Sequence, residues 1–208
     1  MSDAKKLIEA FEGSGAAHGT TVVGRTGRNG KAESDSRVVR GALTEEKIQA
    51  HIEGKMGVGS IPITQDNMCK FGALDIDTYD LDLKALNDKV YEMKLPLIMC
   101  RSKSGGAHLY LFTKDWEPAA LVREYLTEMS VALGYSGCEI FPKQDKILAD
   151  RGDVGNFINM PYFGGDITTR YALDAKGDSM TMAQFHKAVG KARVSASDLD
   201  AMSFGGER

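Results

Sequence analysis

Apolar positions recur at helical spacing in two stretches in the middle of the chain and at strand spacing in four others. Leu83, Leu86, Val90 and Met93 recur every three to four residues, which predicts a helix over 81–93. A second helix is predicted over 118–133, with Leu121, Val122, Tyr125, Leu126, Met129 and Leu133 on its apolar face and Gly134 ending it. Short apolar or alternating runs at 71–77, 95–100, 107–112 and 138–141 read as strands. The order is β-α-β-β-α-β, the split βαβ or ferredoxin-like unit. In that unit the first and third strands are central, the fourth lies beside the first, and both helices cover one face. The other face is then expected to be open for ligands.

The flanks are less regular. Residues 13–41 are rich in Gly, Ser, Arg and Thr, with Val22-Val23 and Val38-Val39 as short strands around a polar loop, Gly24–Ser36, expected to be a mobile hairpin. Thr44 caps a helix that runs to about Glu53 and stops at Gly54. Ser60–Ile63 is a short extended piece, 155–160 alternates like a strand crossing a site, 180–189 reads as a helix, and 203–208 as a frayed tail. The fold class expected is α+β: an RRM/ferredoxin-like βαββαβ unit over 71–175, a smaller N-terminal αβ unit over 1–70, and an irregular C-terminal extension over 176–208, all one domain of 1–208.

Composition narrows the function classes. At 42% hydrophobic and 26% charged residues the chain is of ordinary globular make-up, with no apolar run long enough to cross a membrane. Cys69, Cys100 and Cys138 are widely spaced with no C-x-x-C pair, which argues against a zinc knuckle and for reduced thiols in a cytoplasmic setting. The net charge of −3 is unlike that of proteins gripping duplex DNA through many phosphates, so weak DNA binding by the isolated chain is expected. Local basic groups remain: Arg25, Arg28, Lys31, Arg37 and Arg40, then Arg101 with Lys103, then Lys143, Lys146 and Arg151. Each taken alone reads as a solvated surface.

The strand 71–77 carries the chemistry. Alternation puts Asp75 and Asp77 on one face, roughly 6.5–7 Å apart at Cα, and Leu74 and Ile76 on the other. Carboxylates that close repel unless a cation or hydrogen bonds compensate. His108 on the third strand and Glu139 on the fourth bring polar groups to the neighbouring strands. Asp75, Asp77 and Glu139 form a candidate hard-cation site for Mg²⁺ or Mn²⁺, which commonly completes its coordination with substrate phosphates. The hairpin Arg101–His108 is basic and glycine-containing: Gly105 and Gly106 would let backbone N–H groups approach phosphate, while Ser104 and His108 offer side-chain donors. It is not a Walker A loop. Lys143 would neutralise phosphates at the same mouth, and Asn156 and Asn159 could meet a sugar or base edge. His51 and His186 read as helical or loop surface sites and His18 as part of a glycine-rich segment, none with metal spacing, and Trp116 as packing at the entry to a helix.

Taken in order, D-I-D (Asp75–Asp77), S-G-G-A-H-L-Y-L-F (Ser104–Phe112), E-I-F-P-K-Q (Glu139–Gln144) and G-N-F-I-N-M-P-Y-F (Gly155–Phe163) resemble the archaeo-eukaryotic primase superfamily, in its primase-polymerase branch from phages, plasmids and mobile elements. The resemblance covers roughly residues 40–173. It implies that Asp75, Asp77 and Glu139 are catalytic and bind two metal ions, and that Arg101, Ser104, Gly105, Gly106, His108, Lys143 and Asn156 bind the nucleotide. Some relatives carry the third acid one position earlier, where this chain has Cys138. The implied activity is template-directed nucleotidyl transfer from NTP or dNTP, making primers on single-stranded DNA in replication, in a prokaryotic or phage-infected cell. Lacking an evident zinc module or fused helicase, the chain would draw on a separate helicase or accessory replication protein. The competing readings are a nuclease using the same metals and a non-catalytic RRM-like nucleic-acid-binding module.

Overall fold

Two four-stranded antiparallel sheets organise the protein, described here from a computed structural model for residues 1–26, 32–202 and 204. The helices are α1 (Asp3–Ala10), α2 (Glu45–Ile52), α3 (Leu83–Glu92), α4 (Ala119–Leu133), α5 (Met182–Ala192) and α6 (Ala196–Asp200). The strands are β1 (Ala17–Thr26), β2 (Ala32–Arg40), β3 (Gly57–Ser60), β4 (Met68–Ile76), β5 (Leu97–Arg101), β6 (Ala107–Pro118), β7 (Glu139–Phe141) and β8 (Ile158–Asn159). One sheet runs β2-β1-β3-β8 and the other β5-β6-β4-β7.

The second sheet has the βαββαβ order expected, with β4 and β6 central and β7 beside β4. Its helix side is dry. Leu74, Ile76, Leu109 and Leu111 pack with Leu86 and Val90 of α3 and Val122, Leu126 and Met129 of α4. Asp82 caps α3 by accepting from the Ala85 N–H, and Gly134 ends α4 in the left-handed region (φ 88°) that a side chain disfavours. Gly72 is required for close approach here, because a Cβ would lie 2.7 Å from Leu126 and from Val122.

The other face is not open, contrary to the sequence expectation. Phe71, Ala73, Ile98, Tyr110, Phe112 and Phe141 form a second apolar cluster with Leu7 and Phe11 of α1, Ile48 of α2, Val58 of β3 and Phe185 of α5. Phe11 sits edge-on to Phe71, Tyr110 and Phe112 at 4.9–5.5 Å between ring centroids. The N-terminal helix and the returning C-terminal third therefore cover the face that a bare RRM-like sheet would expose.

The first sheet is completed late in the chain. β8 pairs with β3, Gly59 opposite Asn159. The Phe157 ring lies over paired Gly19 and Gly59, where added Cβ atoms would come within 2.2 and 2.4 Å of it. The hairpin strands reach further than the two valine pairs suggested; its tip, 27–31, with Arg28 and Lys31, lies outside the described residues, as do residues 203 and 205–208. Phe204, expected to be frayed, is buried edge-on against Tyr125.

His51, expected at the surface, is buried instead, and so is His18 of the glycine-rich segment. His51 accepts from the Val58 N–H at Nδ1 (3.0 Å) and donates from Nε2 to the Pro161 carbonyl (2.8 Å), tying α2 to β3 and to the segment after β8. Its burial drives the pKa down to about 4, so the ring is neutral. His18 is held between the Gly41 carbonyl (2.6 Å) and the Lys47 ammonium (2.9 Å). His186 packs its ring beside Asp3, 3.5 Å away. Trp116 lies on the last part of β6 under the Lys70 ammonium (5.3 Å), not at the start of a helix.

Candidate active site

The buried face of the β5-β6-β4-β7 sheet is apolar row after row until its last one. Ala73 lies opposite Tyr110 and Phe141, with Ile98 beyond; one step along, Asp75 lies opposite His108 and Glu139, with Cys100 beyond. Register partners share a face, so three polar side chains stand in one line across three strands. Exposure rises along that line, from 10% for the His108 side chain through 25% for Asp75 to 60% for Glu139. The site is the wet end of an otherwise dry sheet.

Each member has a defined partner. His108 Nε2 lies 3.4 Å from Asp75 Oδ1, and its Nδ1 lies 3.1 Å from the Tyr110 hydroxyl. That hydroxyl donates to the Asn159 carbonyl (3.1 Å), so it accepts from Nδ1, and the network assigns a proton there. Nε2 then faces a carboxylate, an arrangement that a shared proton or a nearby cation relieves. Glu139 is ion-paired with Lys143 at 2.9 Å, and Lys143 also lies 5.2 Å from the Phe141 ring. Lys143 thus sits where expected but is committed to Glu139 rather than free for phosphate. Cys138 packs against the helix-side core, its thiol pushed up to about 11 by burial and by the Asp75 charge. Glu139, not Cys138, occupies the register position opposite Asp75.

Asp77 does not share the strand. The ladder stops at Ile76 opposite Ala107, and Asp77 is the first exposed residue of the following loop. Gly106 explains the stop: the hairpin closes so tightly that a Cβ there would lie 2.4 Å from the Ile76 carbonyl oxygen. Ser104 Oγ donates to Asp77 Oδ1 (3.2 Å) and contacts Ser102 Oγ (3.1 Å), a buried hydroxyl that sequence reasoning passed over. Asp77, Ser104, Gly105 and Gly106 border an open cleft of about 420 Å³ with Tyr79 and Leu81. Asp75 and Glu139 lie outside its walls. The Gly105 N–H is used inside the turn by the Ser102 carbonyl (3.2 Å), so that donor is not pointed at a ligand as the glycines had suggested. Arg101 is partly engaged as well, donating to the Thr169 carbonyl at 3.1 Å. Asn156 is exposed and accepts from Gln144 (3.0 Å), beside Lys143 rather than among the acids; Asn159 reaches the site only through its backbone.

The donor set suits a hard cation. Among the described residues, Asp75 meets only His108 and Asp77 only Ser104, which leaves carboxylate lone pairs open on both. Among the described residues, no group of three or more His, Cys, Asp or Glu side chains is arranged to hold a metal ion. Mg²⁺ characteristically keeps waters and takes one or two carboxylates plus substrate phosphate, so a site for it would need few of these carboxylates at once.

The βαββαβ sheet thus ends in a row holding an acid, a histidine and a second acid, beside a basic hairpin. A model of the family described as "TOTE conflict system, Archaeo-Eukaryotic Primase domain" matches residues 24–182, and the chain belongs to that family. It is thus a primase-like nucleotidyl-transfer domain. Among solved structures, the archaeo-eukaryotic primase domain of the cyanophage S-2L primase-polymerase is similar at 12% identity and a TM-score of 0.46, over 88% of this chain and 94% of that one. That likeness is too distant to carry residue roles. A comparison with curated proteins finds no match. No helix among the described residues is long and apolar enough to cross a membrane.

Proposed function

We propose that this chain extends or starts nucleic-acid strands on a single-stranded DNA template, joining nucleoside triphosphates by metal-dependent nucleotidyl transfer. The observation that carries the reading is the row His108–Asp75–Glu139, with Asp77 and Ser104 just past the ends of the paired strands β4 and β6, in a chain of this family. A terminal 3′-hydroxyl oxygen attacks the α-phosphorus and gives up its proton to water; a P–O bond forms, the bond to the bridging oxygen breaks, and pyrophosphate leaves. Mg²⁺ or Mn²⁺ held by Asp75, Asp77 and Glu139 would supply Lewis acidity to those oxygens.

The protein's own groups do the positioning. Tyr110 and the Asn159 carbonyl fix the His108 ring. Ser104 orients Asp77, and Lys143 holds Glu139 until substrate competes for it. Arg101 and Lys103 place positive charge on the hairpin where phosphates would dock. The RRM-type binding alternative loses its support, because Phe71, Tyr110 and Phe112, on the two central strands, are fully buried and unavailable for base stacking. A separate helicase or accessory protein remains part of the proposal as a partner in replication.

The test is incubation with single-stranded DNA, labelled NTPs or dNTPs, and Mg²⁺ or Mn²⁺, with and without a supplied primer. Products that need both template and metal are expected. Degradation of the template without synthesis would replace this reading with a nuclease.

A further inference from the structure

Arg170 is the one strongly buried guanidinium among the described residues, and no partner neutralises it. The residue is 6% exposed. Its Nη1 is sealed from solvent with no hydrogen-bond acceptor, and no carboxylate among the described residues lies within ion-pair distance. Among the described residues, the Phe163 ring lies 4.8 Å from the guanidinium carbon and gives a cation–π contact. Arginine stays protonated in proteins, so it cannot escape this environment by losing its charge. Burying an uncompensated cation is expensive, and such a group persists where an anion arrives to pair with it.

Its surroundings say where that anion would sit. Arg170 lies within electrostatic reach of the Tyr110 hydroxyl, which holds His108, and of Lys103 on the basic hairpin. Its neighbour Thr169 accepts from Arg101, and Tyr171 accepts from the Arg101 N–H, so the segment is stitched to the hairpin. Burial first, and the Arg170 charge after it, lower the Lys103 pKa. Lys103 adjoins Ser104, which reaches Asp77.

We infer that Arg170, with Lys103, binds the polyphosphate tail of the nucleotide from beneath the hairpin. This rests on the nucleotidyl-transfer reading of the same site. Bidentate guanidinium–phosphate pairing would turn a buried liability into the anchor for the leaving pyrophosphate.

The full chain would be titrated with inorganic tripolyphosphate in chelator, by calorimetry and thermal melting, as wild type, Arg170→Met and Arg170→Lys. Wild type is expected to bind and to melt higher with the ligand. Arg170→Met is expected to melt no lower than wild type when ligand-free, because the unpaired charge is gone, yet to lose at least tenfold in affinity. A lower ligand-free melting point with wild-type affinity would assign Arg170 to packing and overturn the inference. If the methionine variant does not fold, the lysine variant decides: several-fold weaker binding supports the inference, and unchanged binding overturns it. No metal, template or synthesis enters the measurement. Tripolyphosphate binding by a chain that makes no product would sink the functional proposal and leave this one standing.

Discussion

At the scale of single residues the site is a matter of which groups have partners. Asp75 and Asp77 keep open lone pairs, while Glu139 and Lys143 satisfy each other. Lys143→Ala should therefore free Glu139 and leave stability nearly unchanged, since exposed ion pairs contribute about 0–1 kcal/mol. Its effect should fall on the metal dependence of synthesis, read as the Mg²⁺ concentration at half-maximal rate. Tyr110→Phe removes the group that joins His108 to the Asn159 carbonyl and leaves both buried partners unsatisfied. It should cost about 1–3 kcal/mol in urea unfolding and raise the KM for nucleotide. A melt indistinguishable from wild type would show that the relay is not made. That Asp75 and His108 lie on neighbouring strands was legible in the sequence, because an acid and a histidine within two apolar runs are local signals; that Asp77 leaves the strand was not. Arg170 and Ser102 were not: each is a lone polar residue whose meaning comes only from what the fold places around it.

At the scale of elements, the two helices and four strands of the β5-β6-β4-β7 sheet could be read from apolar spacing, including the strand order. What spacing does not reveal is where a ladder stops. Asp77 left the strand because Gly106 draws the β5–β6 hairpin against the Ile76 carbonyl. Gly106→Ala should open that hairpin, lowering stability by about 1–3 kcal/mol and moving Ser104 away from Asp77. A crystal structure of the variant with the Ser104–Asp77 bond intact would contradict this. The covering of the second face was equally hidden. α1 and α5 are far apart in sequence, and their joint packing on Phe71, Tyr110 and Phe112 is a long-range fact that no local pattern records.

At the scale of the whole molecule, His51 links acid stability to the fold. Its ring is neutral and doubly hydrogen-bonded in the folded state, with burial first and the Arg170 charge adding to hold its pKa near 4, against an unfolded value of 6.5. The unfolded chain therefore takes up the proton first as pH falls. Stability from this group is fully present above pH 6.5 and is lost as pH drops towards 4, by about 3 kcal/mol in all. Thermal melts from pH 7 to 4 should show that decline, and His51→Gln should flatten it while lowering the melting point at pH 7. The same histidine shows how far reading from sequence reaches: nothing in its helical neighbours distinguishes a surface ring from one that pins α2 to the Val58 and Pro161 backbone.

The central claim is that the polar end row of the β5-β6-β4-β7 sheet performs nucleotidyl transfer. Single-nucleotide incorporation on a primed single-stranded DNA template, compared between wild type and Asp75→Asn with melting curves alongside, tests it most directly. The account predicts metal-dependent incorporation by wild type and a loss of at least a hundredfold in the variant, with a melting point within a few degrees of wild type. Equal incorporation by the two proteins would contradict it.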